Sequence, residues 1–170
     1  MNNEKRIVLT GFMGVGKSTV AKCLAYLLQC EKFDLDRFIE ESERRSVVEI
    51  IEADGEARFR EIETELLRKI LTETNARIIS LGGGSWITPA NRALIKAHNC
   101  TTVWLESTFE HCWRNISCSK QARPLAKDKK LAEKLFDERQ KIYCLADWHF
   151  IVEPHLTSFD IAKKIAEEIF

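Results

Sequence analysis

Short apolar runs alternate along this chain with longer stretches in which apolar positions recur every three or four residues, the mark of buried strands separated by amphipathic helices. Ile7-Val8-Leu9-Thr10 reads as a strand, followed by a glycine-rich turn and a helix from about Lys17 to Leu28. Lys32-Phe33-Asp34 reads as a second strand. Helical stretches follow from Arg37 to Glu43 and Val47 to Ile51, then a long one from about Glu56 to Thr72. Arg77-Ile78-Ile79-Ser80-Leu81 is a third strand, and Pro89 opens a helix where its missing N–H does no harm. Thr101-Thr102-Val103-Trp104-Leu105 is a fourth. A helix near Thr108 to Arg114, an irregular segment to Leu125 and a helix to Leu145 lead to a fifth strand, His149-Phe150-Ile151-Val152. A helix from Ser158 to Ile169 closes the chain. The pattern predicts a three-layer α/β/α fold around a five-stranded parallel sheet, with ligands beyond the carboxyl ends of the strands.

Length adds that the 170 residues suit one domain, 1–170. Lys plus Arg and Asp plus Glu balance at 26 each, which argues against nucleic acid as the main partner. No apolar run approaches membrane-spanning length and the first residues do not resemble a secretion signal, so no membrane partner and a cytoplasmic location are expected. The cysteines Cys23, Cys30, Cys100, Cys112, Cys118 and Cys144 form no C-x-x-C pair. They read as reduced thiols acting as small hydrophobes; a zinc site at His111, Cys112 and Cys118 lacks the paired ligand spacing.

The chemistry begins at Gly11-Phe12-Met13-Gly14-Val15-Gly16-Lys17-Ser18, a G-x-x-x-x-G-K-[ST] motif followed by Thr19. A strand enters it and a helix leaves it, the context that a phosphate-binding loop requires. Glycines let successive N–H groups turn inward as a nest, and the helix N-terminus adds partial positive charge. Lys17 suits the β- and γ-phosphates, and the Ser18 hydroxyl suits Mg²⁺. A mere helix-capping turn would not need strand, helix, Lys and Ser together.

An acceptor needs its own site on the same rim. Asp34-Leu35-Asp36 follows the second strand. On extended backbone its carboxylates share a face, one for the metal's hydration shell and one for the acceptor's proton; a solvated acidic turn is the plain alternative. Gly82-Gly83-Gly84 permits backbone N–H groups to approach a ligand, or is simply a flexible turn. Arg60, Arg123 and Arg139 offer planar forks for a carboxylate and a transferring phosphoryl group, whereas Arg58 reads as a surface salt-bridge residue. The polar, irregular run Ile116–Ala126 has the composition of a lid that excludes water. Trp113 and Trp148 are expected to be buried.

In this order, the phosphate loop, D-x-D at 34–36, Gly55-Glu56 with Phe59-Arg60-Glu61-Ile62-Glu63, Gly82-Gly83-Gly84, Arg123-Pro124-Leu125 and Arg139 with Tyr143 and Ala146 resemble the shikimate kinase family, within the nucleoside-monophosphate-kinase-like P-loop group. The resemblance covers essentially the whole chain. It implies ATP-dependent phosphorylation of the 3-hydroxyl of shikimate by a monomer, with Mg²⁺ as cofactor. Lys17, Asp36 and Arg123 would be catalytic, Asp36 as the base. Met13, Gly14, Val15, Gly16, Lys17, Ser18, Thr19, Arg114 and Arg123 would bind the nucleotide, with Arg114 packing on the adenine. Asp36, Arg60, Gly82, Gly83, Gly84 and Arg139 would bind the acceptor, with Glu63 orienting the arginine pair. Ser18, and Asp34 through water, would hold the metal. The lid would span about 115–126 and the acceptor-binding helices about 37–72. Ala126 and Trp86 depart from the family pattern. A gluconate-type kinase of the same group, or a non-catalytic nucleotide-binding protein, are the competing readings. A neutral sugar acceptor would not need two converging arginines, and a sugar acid would need them arranged differently. Loss of Lys17, Asp36 or Arg123 would have favoured the second reading, and all three are present.

Overall fold

The computed structural model describes residues 5–120 and 127–170. Five strands run in the order β1 (Ile7–Thr10), β2 (Lys32–Asp34), β3 (Ile78–Ser80), β4 (Thr101–Glu106) and β5 (Trp148–Ile151). They form one parallel sheet, as the alternation of elements predicts, and its spatial order is β2-β3-β1-β4-β5. The central strand β1 is wholly buried, and its neighbours β3 and β4 are buried or nearly so, which is why their sequences are continuous apolar runs.

The crossovers are helical: α1 (Lys17–Leu27), α2 (Leu35–Glu43), α3 (Val47–Asp54), α4 (Glu56–Glu73), α5 (Pro89–Ala97), α6 (Phe109–Cys118), α7 (Lys129–Tyr143) and α8 (Ser158–Ile169). Right-handed crossovers put α1 on one face of the sheet, where α8 packs against it, and the helices that lead to β3, β4 and β5 on the other. Val20, Leu24, Ile161 and Ile165 fill the first interface, and Phe59, Ile62, Leu67 and Ile70 line the buried side of α4. None of the helices among the described residues is long and apolar enough to cross a membrane.

Several local expectations are corrected. The chain turns helical at Leu35 rather than Arg37, because Asp34 caps α2 by accepting the Arg37 N–H at 3.3 Å. D-x-D therefore straddles a strand end and a helical turn, and is not an extended pair. Helix α6 continues to Cys118, past the expected start of the irregular segment, since Cys112 and Ile116 extend its buried stripe. Trp148 is 43% exposed on the edge strand β5, while Trp113 is half-buried and stacked on Phe109. Cys118 and Cys144 are exposed rather than packed inside; Cys100 and Cys112 are buried, and burial pushes the Cys112 thiol up to about 11.

Candidate active site

The phosphate loop leaves β1 and wraps back onto α1. Gly14 and Gly16 sit at φ of 81° and 101°, a region that side chains resist. At Gly14 even a methyl group would strike the Cys112 carbonyl oxygen, 2.5 Å away, so α6 presses directly on the loop. Gly16 is the N-cap of α1 and brings no side chain to it, so the first-turn N–H groups are the donors that a phosphate takes up. The Lys17 ammonium donates to the carbonyls of Gly11 at 2.7 Å and Phe12 at 3.1 Å, which holds it across the loop. Met13, Gly14, Val15, Ser18 and Thr19 line the same cleft, whose volume is about 1060 Å³.

Across the cleft, the Ser18 hydroxyl donates to Asp34 Oδ2 at 2.5 Å. Register places Asp34 beside Ser80, so the two side chains share a face of the sheet. The Ser80 hydroxyl is buried and has no hydrogen-bond partner among the described residues. A hydroxyl, a carboxylate and an unpartnered second hydroxyl are hard oxygen donors, the set that suits a hydrated Mg²⁺. The residues present fit that ion.

The residues expected to hold an acceptor converge from four parts of the chain. Asp36, in the first turn of α2, lies so close to Gly82 that a methyl group there would come within 2.5 Å of its Oδ1. Burial raises its pKa from 3.8 to about 6, aided by the negative charges of Glu63, Asp34 and Glu40, with Lys17 opposing. A methyl on Gly83 would stand 3.3 Å from Arg139 Nη1 and 3.4 Å from the Met13 nitrogen. One on Gly84 would overlap the Arg60 guanidinium. The glycine turn is thus the meeting point of the phosphate loop, the carboxyl group and both arginines.

A buried network holds the arginine. Glu63, fully buried on α4, receives Arg60 Nη1 on both oxygens at 3.0 Å, and the Ser85 hydroxyl at 2.5 Å. Asn91 on α5 bonds the Ser85 carbonyl at 2.9 Å and accepts from Thr64 at 2.7 Å, which ties α4, α5 and the glycine turn together. Arg58, by contrast, makes an exposed pair with Glu61, as its helical offset predicts. Arg139 on α7 is buried despite its charge.

The structure thus brings together Lys17, Ser18, Asp34, Asp36, Arg60, Arg139 and the three glycines. Arg114 is exposed; the α6 residues that line the cleft are His111 and Asn115, one turn apart, and Asn115 donates to the Gly14 carbonyl at 2.7 Å. Arg123, with the rest of its motif and half of the expected lid (121–126), lies outside the described residues. Ser85, Asn91, Asn115 and Ser80 are positions in or behind the candidate site that sequence reasoning missed. Asn91 had a faint signal as a polar residue on the apolar face of its helix; the others had none.

Three comparisons bear on this arrangement. The family model described as shikimate kinase matches residues 13–170. The chain is 43% identical over 166 residues to a shikimate kinase of Lactococcus lactis subsp. lactis, covering 96% of this chain and 92% of that one. It is 34% identical over 170 residues to a shikimate kinase of Geobacillus kaustophilus, covering 98% and 89%. Among solved structures, it superposes on a shikimate kinase of Acinetobacter baumannii in complex with shikimate, with TM-score 0.87, 29% identity and coverage of 97% and 92%. With a family model spanning nearly the whole chain and curated relatives matched along almost their full length, this chain belongs to the shikimate kinase family.

Proposed function

We propose that the protein transfers the γ-phosphoryl group of ATP to the 3-hydroxyl of shikimate, giving shikimate 3-phosphate and ADP. The observation that carries this reading is the convergence of Arg60 and Arg139 on a glycine turn that also touches Asp36 and the phosphate loop. Two guanidinium groups suit an acceptor carboxylate, and the adjacent carboxyl group suits a hydroxyl.

In this reading the loop N–H groups and Lys17 hold the triphosphate, with Ser18 binding Mg²⁺ directly and Asp34 through water. When bound, the ion neutralises charge on the β- and γ-phosphate oxygens. Arg60 and Arg139 hold the shikimate carboxylate, Glu63 keeps Arg60 extended toward it, and the backbone at Gly82–Gly84 meets the ring hydroxyls. Asp36 accepts the proton of the 3-hydroxyl as that oxygen bonds to the γ-phosphorus; the bond from that phosphorus to the bridging oxygen breaks, and ADP leaves. Its pKa of about 6 leaves it ionised at neutral pH yet basic enough to take a proton. Arg123, moving in with a lid at about 115–126, would touch the phosphates, and Arg114 would pack on the adenine. In this reading the protein acts as a monomer in the cytoplasm.

The test is ADP release from ATP and Mg²⁺ on addition of shikimate, run beside gluconate. Shikimate-dependent release is expected. Release with gluconate alone would overturn the acceptor, and nucleotide binding with no turnover would overturn the activity.

A further inference from the structure

Tyr143, the last residue of α7, lies one helical turn beyond Arg139. Its ring is fully buried, and packs 6.1 Å from Trp104. Its hydroxyl does something a core ring does not require: it donates to the Gly83 carbonyl at 2.5 Å, and the Arg139 guanidinium acts on that same hydroxyl while standing 3.3 Å from where a Gly83 methyl group would lie. Burial raises the phenol to about 12, so it keeps its proton and its donor role at physiological pH. A second bond runs the other way, since Trp86 Nε1, just past the glycine turn, donates to the Ile142 carbonyl at 3.0 Å. The end of α7 and the glycine turn are therefore clasped from both sides. Gly83 itself stands between Arg139 and the Met13 nitrogen of the phosphate loop, so its position sets how far the acceptor's grip lies from the donor.

We propose that Tyr143 is a positioning residue for the acceptor: its hydroxyl fixes the spacing between the Gly83 carbonyl and the Arg139 guanidinium, and with it the hold on the acceptor carboxylate. The inference rests on the acceptor reading above. Without the hydroxyl, the Gly83 carbonyl loses its donor and Arg139 loses the oxygen that keeps its fork aimed across the turn. The ring, and so the packing, remains.

The test compares full-length wild type, Tyr143→Phe and Trp86→Phe in steady-state assays with shikimate and ATP varied separately. Tyr143→Phe is expected to raise the KM for shikimate about tenfold, with the KM for ATP within twofold and kcat within threefold, the size of one charge-assisted hydrogen bond. Trp86→Phe, which removes the other half of the clasp, is expected to raise it about threefold. In an Arg139→Lys background, Tyr143→Phe should lose most of its effect, because it acts through Arg139. Both KM values rising together, a fall in Tm without change in either, or full additivity with Arg139→Lys would each overturn the proposal. Failure of wild type to turn over shikimate would instead sink the acceptor reading, so the two failures are distinct.

Discussion

Two glycine-rich turns face each other across the active site, and they use glycine for different reasons. In the phosphate loop the glycines adopt conformations closed to other residues: φ is 143°, 81° and 101° at Gly11, Gly14 and Gly16. At Gly16 there is room for a methyl group, so what excludes a side chain is the backbone itself. The turn at Gly82–Gly84 has no positive φ at all. There the constraint is crowding, because a methyl group would collide with Asp36, crowd Arg139 or overlap Arg60. One turn is shaped to present N–H groups; the other is stripped so that functional side chains can close on it. Damage should therefore separate cleanly, with the loop affecting the nucleotide and the turn affecting the acceptor.

The sharpest break comes from Asp36→Asn, which keeps the shape and removes the proposed base. We expect kcat to fall about 10³-fold, within the range of general-base catalysis, with ATP affinity changed less than threefold. Stability should move the other way. A carboxyl whose folded pKa is raised favours folding when protonated, so its ionisation withdraws stability as pH climbs from about 4 through about 6. Asparagine escapes that loss, and after allowing for the partial solvent contact of Asp36 the variant should gain roughly 1 kcal/mol at pH 8, read by denaturant melts. Collapse of ATP binding would show that the two turns do not divide the work. Glu63→Ala attacks the network behind the acceptor turn. It strands the Arg60 charge beside a buried cavity and should cost about 3 kcal/mol of stability, with shikimate binding lost before nucleotide binding.

How much of this was legible follows from how each part is encoded. The phosphate loop is contiguous, each residue type has one purpose, and its flanking strand and helix can be read from periodicity, so Gly11–Ser18 was identified whole. The buried strands at the centre of the sheet were readable because they are largely apolar runs, and the edge strands because they fall between helical stretches. The proposed acceptor site is assembled by topology. Asp36, Arg60, Gly83 and Arg139 meet because β3 lies between β1 and β2, and no local pattern announces that; the family resemblance supplied what spacing could not. Ser85 and Asn91 stayed hidden because their role depends on which buried carboxylate they face. The shared face that D-x-D would have on extended backbone does not form, because the Asp34 side chain caps the next helix, a local hydrogen bond that outweighs the strand pattern. Trp148 was expected inside, but β5 is an edge strand with one side unpaired.

Alanine at each turn tests the contrast directly. Gly84→Ala should lower kcat/KM for shikimate about 100-fold by displacing Arg60, and Tm should fall too, since a displaced guanidinium leaves the buried Glu63 carboxylate without its ion-pair partner. Gly16→Ala should cost about 1 kcal/mol through backbone strain and weaken ATP, leaving the KM for shikimate near wild type. Equal effects on both substrates from either variant would dissolve the distinction.

The smallest expected effect lies in pH. Asp36 must be ionised to take a proton, so kcat/KM for shikimate should fall below about pH 6 as the carboxyl group protonates. Nucleotide affinity, measured by fluorescence titration over the same range, should not follow that limb. Glu63 is the largest neighbouring charge that raises Asp36, so Glu63→Gln, which keeps the shape, should move the limb to lower pH by less than about one unit. A limb that stays in place would remove Glu63 from the causes of the rise in Asp36 and leave burial with Asp34 and Glu40, and a limb shared by nucleotide binding would place the titrating group on the phosphate side.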